Sequence, residues 1–394
     1  MNPVGIAFLS WKHLVYRPWR SLLLVITIAL TFSFPSALQV FIGESEKVLR
    51  ERAHSTPLLV GPRGSSIDLT LNSLYFTPQE LPPLPYATYR DLMQEGFGTT
   101  IPLHSRFRAG QTPIVGTSLA YFDLRKLAIT EGRMLTRLGD CVIGSRLAAE
   151  RNLSPGDKIT SSPENVFDLS GVYPLRMRIT GILGSNHTAD DDAIFVDLKT
   201  AWIIEGLAHG HQDLSAPGAV GAVRKREKGV IRANASVVEF NEVTEENISS
   251  FHFHGDAGSY PLSAAVLVPR DSKRHALALA AFQGEDASAQ IVAPIDAVTD
   301  LADTLFATQR LALVAFRILG AAALGLTLLV FALSFRLRER ELRTYSKIGA
   351  GKLTIFFLKA SEVAIIVTAS LLVASLAVAL SRAVAADLLV RLLN

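Results

Sequence analysis

The stretch ILGAAALGLTLLVFALSFRLRERELRTYSKIGAG, residues 318–351, joins a very apolar run to a densely charged one. Residues 318–335 carry no charged side chain and, extended upstream to Leu311, are long enough to cross a hydrocarbon core of roughly 30 Å. Residues 336–359 then hold seven Lys or Arg against two Glu. Because short basic flanks stay on the cytoplasmic side of a membrane, this stretch predicts a span that emerges into the cytoplasm.

Two further stretches pass the same test of length and apolarity. Residues 21–42 are uncharged apart from their flanks, and residues 361–381 form a third apolar run that begins near Glu362. The first run is too long for the apolar region of a cleaved signal peptide, so a retained helix is the better interpretation. Basic residues Lys12, Arg17 and Arg20 precede it, which places the N-terminus in the cytoplasm by the same rule.

Composition agrees with a membrane protein that has a large water-exposed part. The chain has 394 residues, of which 19% are charged, and its mean hydropathy is +0.30. The net charge of +3 does not indicate nucleic acid as a partner. Cys141 is the single cysteine, so it cannot form an intrachain disulfide, and we expect it to be a small core residue. Motifs of dinucleotide-binding proteins, zinc proteases, serine hydrolases and kinases are absent from the sequence.

The predicted fold class is an integral membrane protein with three α-helical spans and a large extracytoplasmic α/β (α+β) domain inserted between span 1 and span 2. The predicted parts are a cytoplasmic interfacial helix (1–20), span 1 (21–42), the external domain with two subdomains (43–310), span 2 (311–335), a cytoplasmic coupling loop (336–360), span 3 (361–381) and an extracytoplasmic tail (382–394).

The external region alternates strand-like and helix-like stretches. LRMRITGIL at 175–183 has the period-two alternation of a half-buried strand, and CVIGSRLAAERN at 141–152 predicts a strand followed by a helix. LSAAVLVP, SKRHALALAAFQ and AQIVAP, between residues 262 and 294, predict a βαβ unit. From Ile295 a helical pattern continues into span 2, so one long helix is expected to enter the membrane.

The charged segment itself predicts a helix over 336–348. Leu337, Leu342, Tyr345 and Ile348 form an apolar line among charges, Gly349 is placed to end the helix, and Gly351 offers a second left-handed terminator. One interpretation is a solvated loop whose positive charge only sets topology. The other is a helix that docks on another protein, which the apolar line and the glycine stop favour. The candidate contact residues are Arg338, Glu339, Arg340, Glu341, Leu342, Arg343, Tyr345, Lys347, Ile348 and Gly349.

Two histidine triplets form the second candidate site. HGHQD places His209, His211 and Asp213 at alternate positions, and HFHGD repeats this spacing with His252, His254 and Asp256. In extended segments each set faces one side, and together they could supply the four ligands that Zn²⁺ prefers. The alternative is that Phe251 and Phe253 point inward while the histidines face water. His187 and Asp190–Asp192 are expected to form only a turn and helix approach.

The order of these parts resembles the FtsX/MacB/LolC-type ABC transporter permeases. CVIGSRLAAERNLSPGDKI is similar to the strand–helix–turn segment of that family, and RITGIL…DDDAIFVDLKTAW to the strands and helix that follow. RLRERELRTYSKIGAGKLTIFFLKASE resembles its cytoplasmic signature, with a Glu at the start of the next span.

The resemblance implies a non-catalytic permease subunit in a bacterial inner membrane, with its large domain in the periplasm. ATP would be hydrolysed by a separate ABC ATP-binding subunit, and movement of the periplasmic domain would export or extract an envelope substrate. The resemblance also implies a homodimer or pairing with a related permease, and leaves room for a periplasmic partner protein. The sequence departs from the commonest pattern of four spans, because only three are predicted. Alternatives are a membrane-anchored metal-binding or sensor protein and a regulator of a cell-wall hydrolase.

Overall fold

The computed structural model describes residues 3–163, 174–211, 223–227, 230–233, 240–282 and 289–393. Two compact units make up the chain. Residues 1–48 and 302–389 form the membrane unit, and residues 49–301 carry the external domain.

The helices of the described chain are α1 (Pro3–Tyr16), α2 (Pro18–His54), α3 (Ser66–Tyr75), α4 (Tyr86–Glu95), α5 (Leu119–Arg125), α6 (Ser145–Arg151), α7 (Leu198–Ile204), α8 (Ser272–Ala281), α9 (Pro294–Leu337), α10 (Glu339–Lys347) and α11 (Lys352–Leu393). The strands are β1 (Leu58–Pro62), β2 (Leu84–Pro85), β3 (Gly98–His104), β4 (Arg108–Ala109), β5 (Thr112–Thr117), β6 (Ile129–Gly132), β7 (Asp140–Ile143), β8 (Lys158–Thr160), β9 (Arg176–Leu183), β10 (Ile194–Asp197), β11 (Ala208–Gly210), β12 (Val223–Glu227), β13 (Val230–Ala233), β14 (Phe251–Phe253), β15 (Pro261–Leu262), β16 (Ala264–Pro269) and β17 (Ala289–Val292).

Three helices of the membrane unit are long and apolar enough to cross a membrane: α2, α9 and α11. This confirms the prediction of three spans within the described residues. Each helix is longer than the span predicted for it. The helix α9 begins at Pro294, as the continuous pattern from Ile295 predicted, and α11 runs from Lys352 to Leu393.

A small apolar core holds the membrane unit together. It consists of Leu14 from α1, Leu24 and Ile28 from α2, Phe331 from α9 and Ile366 from α11. The N-terminal segment therefore does form a helix, and Leu14 of this helix belongs to the same apolar core as side chains of all three spans. Most other large apolar side chains of the spans are exposed, as expected of surfaces that face lipid or another membrane subunit.

The external domain is built on one mixed sheet. Its strand order is β17-β1-β16-β3-β5-β10-β7-β9-β6, with β4 beside β5 and β8 beside β9. The pairs β5–β10 and β7–β9 are parallel, whereas the other pairs of this sheet are antiparallel. Short two-stranded sheets, β2–β15, β11–β14 and β12–β13, complete the described strands.

The βαβ unit predicted between residues 262 and 294 forms with one difference. Strands β16 and β17 are joined by α8, and both are antiparallel to β1, so they are parallel to each other. However, β1 lies between them, so this is a split βαβ unit. The strand β1, from the start of the domain, therefore pairs with both β16 and β17. The local sequence of residues 262–294 does not reveal this insertion.

Alternation along the strands assigns side chains to the two faces of the sheet. In β10, Phe195 joins one core while Ile194 and Val196 join another, and in β7 Val142 and Cys141 divide in the same way. Cys141 is fully buried, which confirms the expectation that it is a core residue. Helices contribute to the cores on both faces, which is why the central strands β5 and β7 are buried at every position.

Candidate functional site

The helix α10 stands by itself between the ends of two spans. The helix α9 ends at Leu337, Arg338 has a non-helical backbone, and α10 then runs from Glu339 to Lys347. Gly349 has a φ of 98°, a left-handed conformation that glycine adopts without strain, so the predicted stop at this residue is confirmed. The second stop predicted at Gly351 was wrong, because Gly351 lies outside the left-handed region and leads directly into α11.

A buried ion pair ties the start of α10 to the third span. The Arg338 Nη1 donates to Glu362 Oε1 at 2.7 Å, and the two side chains are only 5% and 2% exposed. The Arg338 Nε also donates to Glu341 Oε2 at 3.0 Å, one turn further along α10. Burial alone would lower the pKa of Arg338, but its hydrogen bonds to Glu362 and Glu341 raise it, so the guanidinium stays charged.

The helix α1 contacts α11 next to this pair, at Leu358 and Ser361. Ser10 Oγ donates to the carbonyl oxygen of Leu358 at 3.2 Å and lies 2.5 Å from Ser361 Oγ. Burial, together with the nearby charge of Arg338, lowers the pKa of His13. A neutral His13 adds no positive charge to the group formed by Arg338, Glu362 and the nearby Arg20. The N-terminal helix, α10 and the start of α11 are therefore one connected polar assembly.

The predicted contact residues divide into an inner and an outer set. Arg338 and Leu342 are buried within the chain and Tyr345 is half-buried. The exposed members are Glu339, Arg340, Glu341, Arg343, Lys347, Ile348 and Gly349. Leu342 therefore anchors α10 to its own chain. The outward face of the helix carries three basic and two acidic side chains, and Arg343 Nη2 pairs with Glu339 Oε1 at 2.8 Å.

A cleft of about 440 Å³ opens beside the helix α10. Its walls include Phe335 from α9, Leu342 and Arg343 from α10, and Ile355 and Lys359 from α11. The Lys359 Nζ lies over the Phe335 ring, 5.3 Å from its centroid. The floor of the cleft is apolar, and its rim carries Arg336, Arg343 and Lys359 together with Glu339.

The structure brings the two histidine segments together in the external domain. Strands β11 and β14 pair antiparallel, with His209 opposite His252. His209, His252 and His254 have ligand atoms that all lie within 4.8 Å of one another. The His211 ring is 5.2 Å from that of His252, measured between centroids.

Of the two acidic members of the predicted triplets, only Asp256 is described by the structure, and it does not join the histidines. Asp213 lies outside the described residues. Asp256 caps the 3₁₀-helix Ala257–Ser259, where its Oδ1 accepts a hydrogen bond from the Gly258 N–H at 3.1 Å. The tight turn at Gly255 carries Asp256 out of the strand, so the period-two spacing does not continue to it.

A third polar arrangement was missed by sequence reasoning. Arg52, near the end of α2, forms a bidentate ion pair with Asp190, with Nη1–Oδ2 at 2.9 Å and Nη2–Oδ1 at 2.8 Å. The Tyr121 hydroxyl donates to Asp190 Oδ1 at 2.8 Å, and Arg52 Nε donates to the carbonyl oxygen of Leu74. We call Arg52, Asp190 and Tyr121 the clasp.

The clasp is a fully buried charged site inside the external domain. The side chains of Arg52 and Asp190 are 5% and 1% exposed. Burial by itself would raise the pKa of Asp190, but the charge and hydrogen bonds of Arg52 hold it well below its usual value. Burial raises the pKa of Tyr121 to about 12, so this hydroxyl remains a donor. The predicted turn at His187–Asp192 contains the 3₁₀-helix Ala189–Asp192, but nothing in its sequence identified Arg52 as its partner.

Comparisons with known proteins match this chain to one family and to solved structures. The family described as MacB-like periplasmic core domain matches residues 21–228. Among solved structures, the extracellular domain of the noncanonic ABC-type transporter YknZ from Gram-positive bacteria is 12% identical, with a TM-score of 0.31; the match covers 60% of this chain and 98% of that one. The periplasmic region of MacB from Actinobacillus actinomycetemcomitans is 13% identical, with a TM-score of 0.31, over 66% of this chain and 96% of that one. No curated protein matches the chain.

Proposed function

The chain belongs to the FtsX/MacB-type family of ABC transporter permeases, and from this premise we propose that it couples ATP hydrolysis in a separate subunit to movement of its external domain. The observation that carries the proposal is the construction of α10. Its inner side is locked to the third span by Arg338 and Glu362, while its outer side exposes Arg340 and Lys347 beside the pair Arg343–Glu339. A helix that only set topology would need no buried ion pair to fix its position.

The long helices support a mechanical role. The helix α9 is continuous from Pro294 to Leu337, immediately before α10, and α2 is continuous from Pro18 to His54. Each helix therefore contains both a membrane span and residues of the external domain. A continuous helix transmits displacement along its axis better than a flexible linker does. We propose that force enters at α10 and reaches the external domain through α9 and α2.

In this proposal the chain is a non-catalytic subunit, and ATP binds to its partner. The partner is an ABC ATP-binding subunit in the cytoplasm, whose acidic and apolar side chains contact Arg340, Arg343, Lys347 and the cleft beside them. A second permease subunit, identical or related, completes the complex, and the exposed apolar faces of the spans suit this pairing. Work on the far side of the bacterial inner membrane extracts or exports an envelope substrate, with or without a periplasmic partner protein.

The test reverses charge on the outer face of α10 without touching its inner face. In Arg340→Glu/Lys347→Glu, both altered side chains are exposed, so the chain itself should fold normally. The full-length protein, solubilised in mild detergent from its own cells, should lose its ATP-binding subunit on purification and lose any stimulation of ATPase activity. Leu342 is left intact because it is buried, and its replacement would disturb the chain itself.

The matched control is Lys273→Glu, which reverses an exposed charge on α8 of the external domain, outside the unit that contains α10. This variant should retain the ATP-binding subunit at the parental stoichiometry. Equal retention by the α10 double variant and the control would refute the docking assignment.

Orientation is tested with introduced cysteines, because the native Cys141 is buried and should not react. An impermeant thiol reagent should label Arg270→Cys, at an exposed position of the external domain, in intact cells. Lys347→Cys should be labelled only after the membrane is permeabilised. Labelling of Lys347→Cys in intact cells would place α10 outside and contradict the proposed route of force.

A further inference from the structure

Four of the nine histidines of the chain lie in one patch of the external domain. They come from two segments that are separate in sequence, the end of β11 and the strand β14 with the residue after it. The ring centroids of His209, His252 and His254 are 4.7–4.9 Å apart in every pair. Three imidazole rings this close together call for an explanation other than apolar packing, because each ring carries polar nitrogens.

The backbone that carries the histidines is firmly held. The pairing of β11 with β14 sets His209 opposite His252, and the backbone N–H of His254 donates to the carbonyl oxygen of Leu207 at 2.9 Å. The Tyr260 hydroxyl donates to the carbonyl oxygen of His254 at 2.7 Å. The cluster is therefore built on two strands and a buried tyrosine, not on a loose loop.

The phenylalanines of the same strand fix the direction of the histidines. Phe251 and Phe253 pack against the apolar cores of the domain, and Phe253 lies 6.1 Å from the Tyr260 ring. Because side chains alternate along a strand, the histidine between them is turned to the opposite side. The inward phenylalanines of the alternative interpretation are thus present. His252 and His254 are at least partly exposed, as that interpretation expects, but they also converge on His209.

One hydrogen bond prepares His252 as a ligand. His252 Nδ1 lies 3.0 Å from the carbonyl oxygen of Ser250. A carbonyl oxygen only accepts, so Nδ1 must carry the hydrogen, and the lone pair of the neutral ring is then on Nε2. Metal-binding histidines commonly donate their second ring N–H to a backbone carbonyl in this way.

We propose that His209, His252 and His254 form a binding site for a divalent transition-metal ion of borderline softness, for which Zn²⁺ is the probe. The ligand atoms lie within 4.8 Å of one another, whereas a tetrahedral Zn²⁺ with bonds of about 2.05 Å needs nitrogens roughly 3.4 Å apart. Small side-chain rotations close this difference. Three imidazoles leave one position open for water, for a ligand from a partner or for the cargo itself. This site is independent of α10 and of the ATP-binding subunit.

The test uses the full-length protein in detergent, purified through a tag without histidines and stripped with a chelator. Zn²⁺ binding is measured by competition with a chromophoric chelator, and we expect one ion per chain. Each of His209→Ala, His252→Ala and His254→Ala should weaken binding by at least about 100-fold, because loss of a ligand exceeds the 10–100-fold effect of an outer hydrogen bond. His211→Ala should weaken it by about tenfold or less, since its ring is further away.

The control is His54→Ala, an exposed histidine outside the patch, which should bind as the parent does. Co²⁺ should replace Zn²⁺ and show the visible bands of tetrahedral coordination, whereas Mg²⁺ and Ca²⁺ should not compete because they prefer oxygen ligands. Parental affinity equal to that of the His252→Ala/His254→Ala variant would overturn the site. A loss in His211→Ala as large as in the other three would overturn the three-ligand assignment.

Discussion

Removing the acidic half of the clasp, by Asp190→Asn, should strongly destabilise the external domain. The change keeps the size of the side chain but leaves the Arg52 guanidinium, 5% exposed, without a counter-charge. Breaking one side of a buried ion pair typically costs about 3–5 kcal/mol, because the remaining charge cannot recover its hydration. We expect a loss of about 3 kcal/mol, since Arg52 keeps its hydrogen bond to the carbonyl oxygen of Leu74.

The chain contains its own reporter for this measurement. Cys141 is the single cysteine, is fully buried in β7 and lies in the same domain as the clasp. Burial also raises the pKa of its thiol, so the folded protein should not react with a thiol reagent. Brief pulses of such a reagent across a urea series therefore report unfolding of the domain. With a slope of about 3 kcal/mol per molar urea, Asp190→Asn should lower the midpoint by about 1 M.

The control and a double variant make the result decisive. Asp123→Asn removes a carboxylate from an exposed position and should shift the midpoint little. Arg52→Met/Asp190→Asn should lose much less than the sum of its single variants, because neither charge is then left buried alone. If Asp190→Asn and Asp123→Asn had the same midpoint, or if the double variant were simply additive, the clasp would not be the stabilising element described here.

Three further outcomes follow from the same structure. Glu362→Gln should loosen α10, because it leaves Arg338 buried without a counter-charge. Trypsin should then cut α10 roughly tenfold faster than in the parent, whereas Glu362→Asp should be cut at a rate closer to the parental one. The lowered pKa of Asp190 stabilises the folded state fully above the unfolded pKa of about 3.9, and this stabilisation is lost as the pH falls further towards the native pKa. The Cys141 reporter should therefore show a steeper acid loss in the parent than in Asp190→Asn. Gly210→Ala would place a Cβ 2.6 Å from the Phe251 ring, so it should lower the free energy of unfolding by about 1–3 kcal/mol and weaken Zn²⁺ binding. Unchanged Zn²⁺ binding would contradict the role of the pair β11–β14 in positioning the histidines.

Much of the architecture could be predicted because its signals are local. A span is recognised by the apolarity of one continuous stretch, and β9 by period-two alternation within eight residues. The stop at Gly349 was predictable because a left-handed helix terminus favours the residue type that stands there. The histidine spacing indicated a candidate ligand set because two strands with alternating side chains each present one face.

The orientation of individual side chains was much less predictable. The sequence suggested that Leu342 contacts a partner, but the structure buries it within its own chain. An apolar line on a helix indicates only that another surface packs against it. That surface can belong to the same chain as well as to a partner. Asp256 leaves the histidine group for a similar reason, because a turn and a cap remove it from the strand.

The sequence by itself determined the three spans, the basic segment between the second and third, and several helices and strands of the external domain. Each of these depends on residues that are neighbours along the chain. Only the tertiary structure decided that Arg52 meets Asp190, 138 positions away, that β1 enters between β16 and β17, and that the two histidine segments converge. Such contacts depend on how elements that are distant in sequence pack around a shared core. A local sequence pattern does not specify which distant element it will contact.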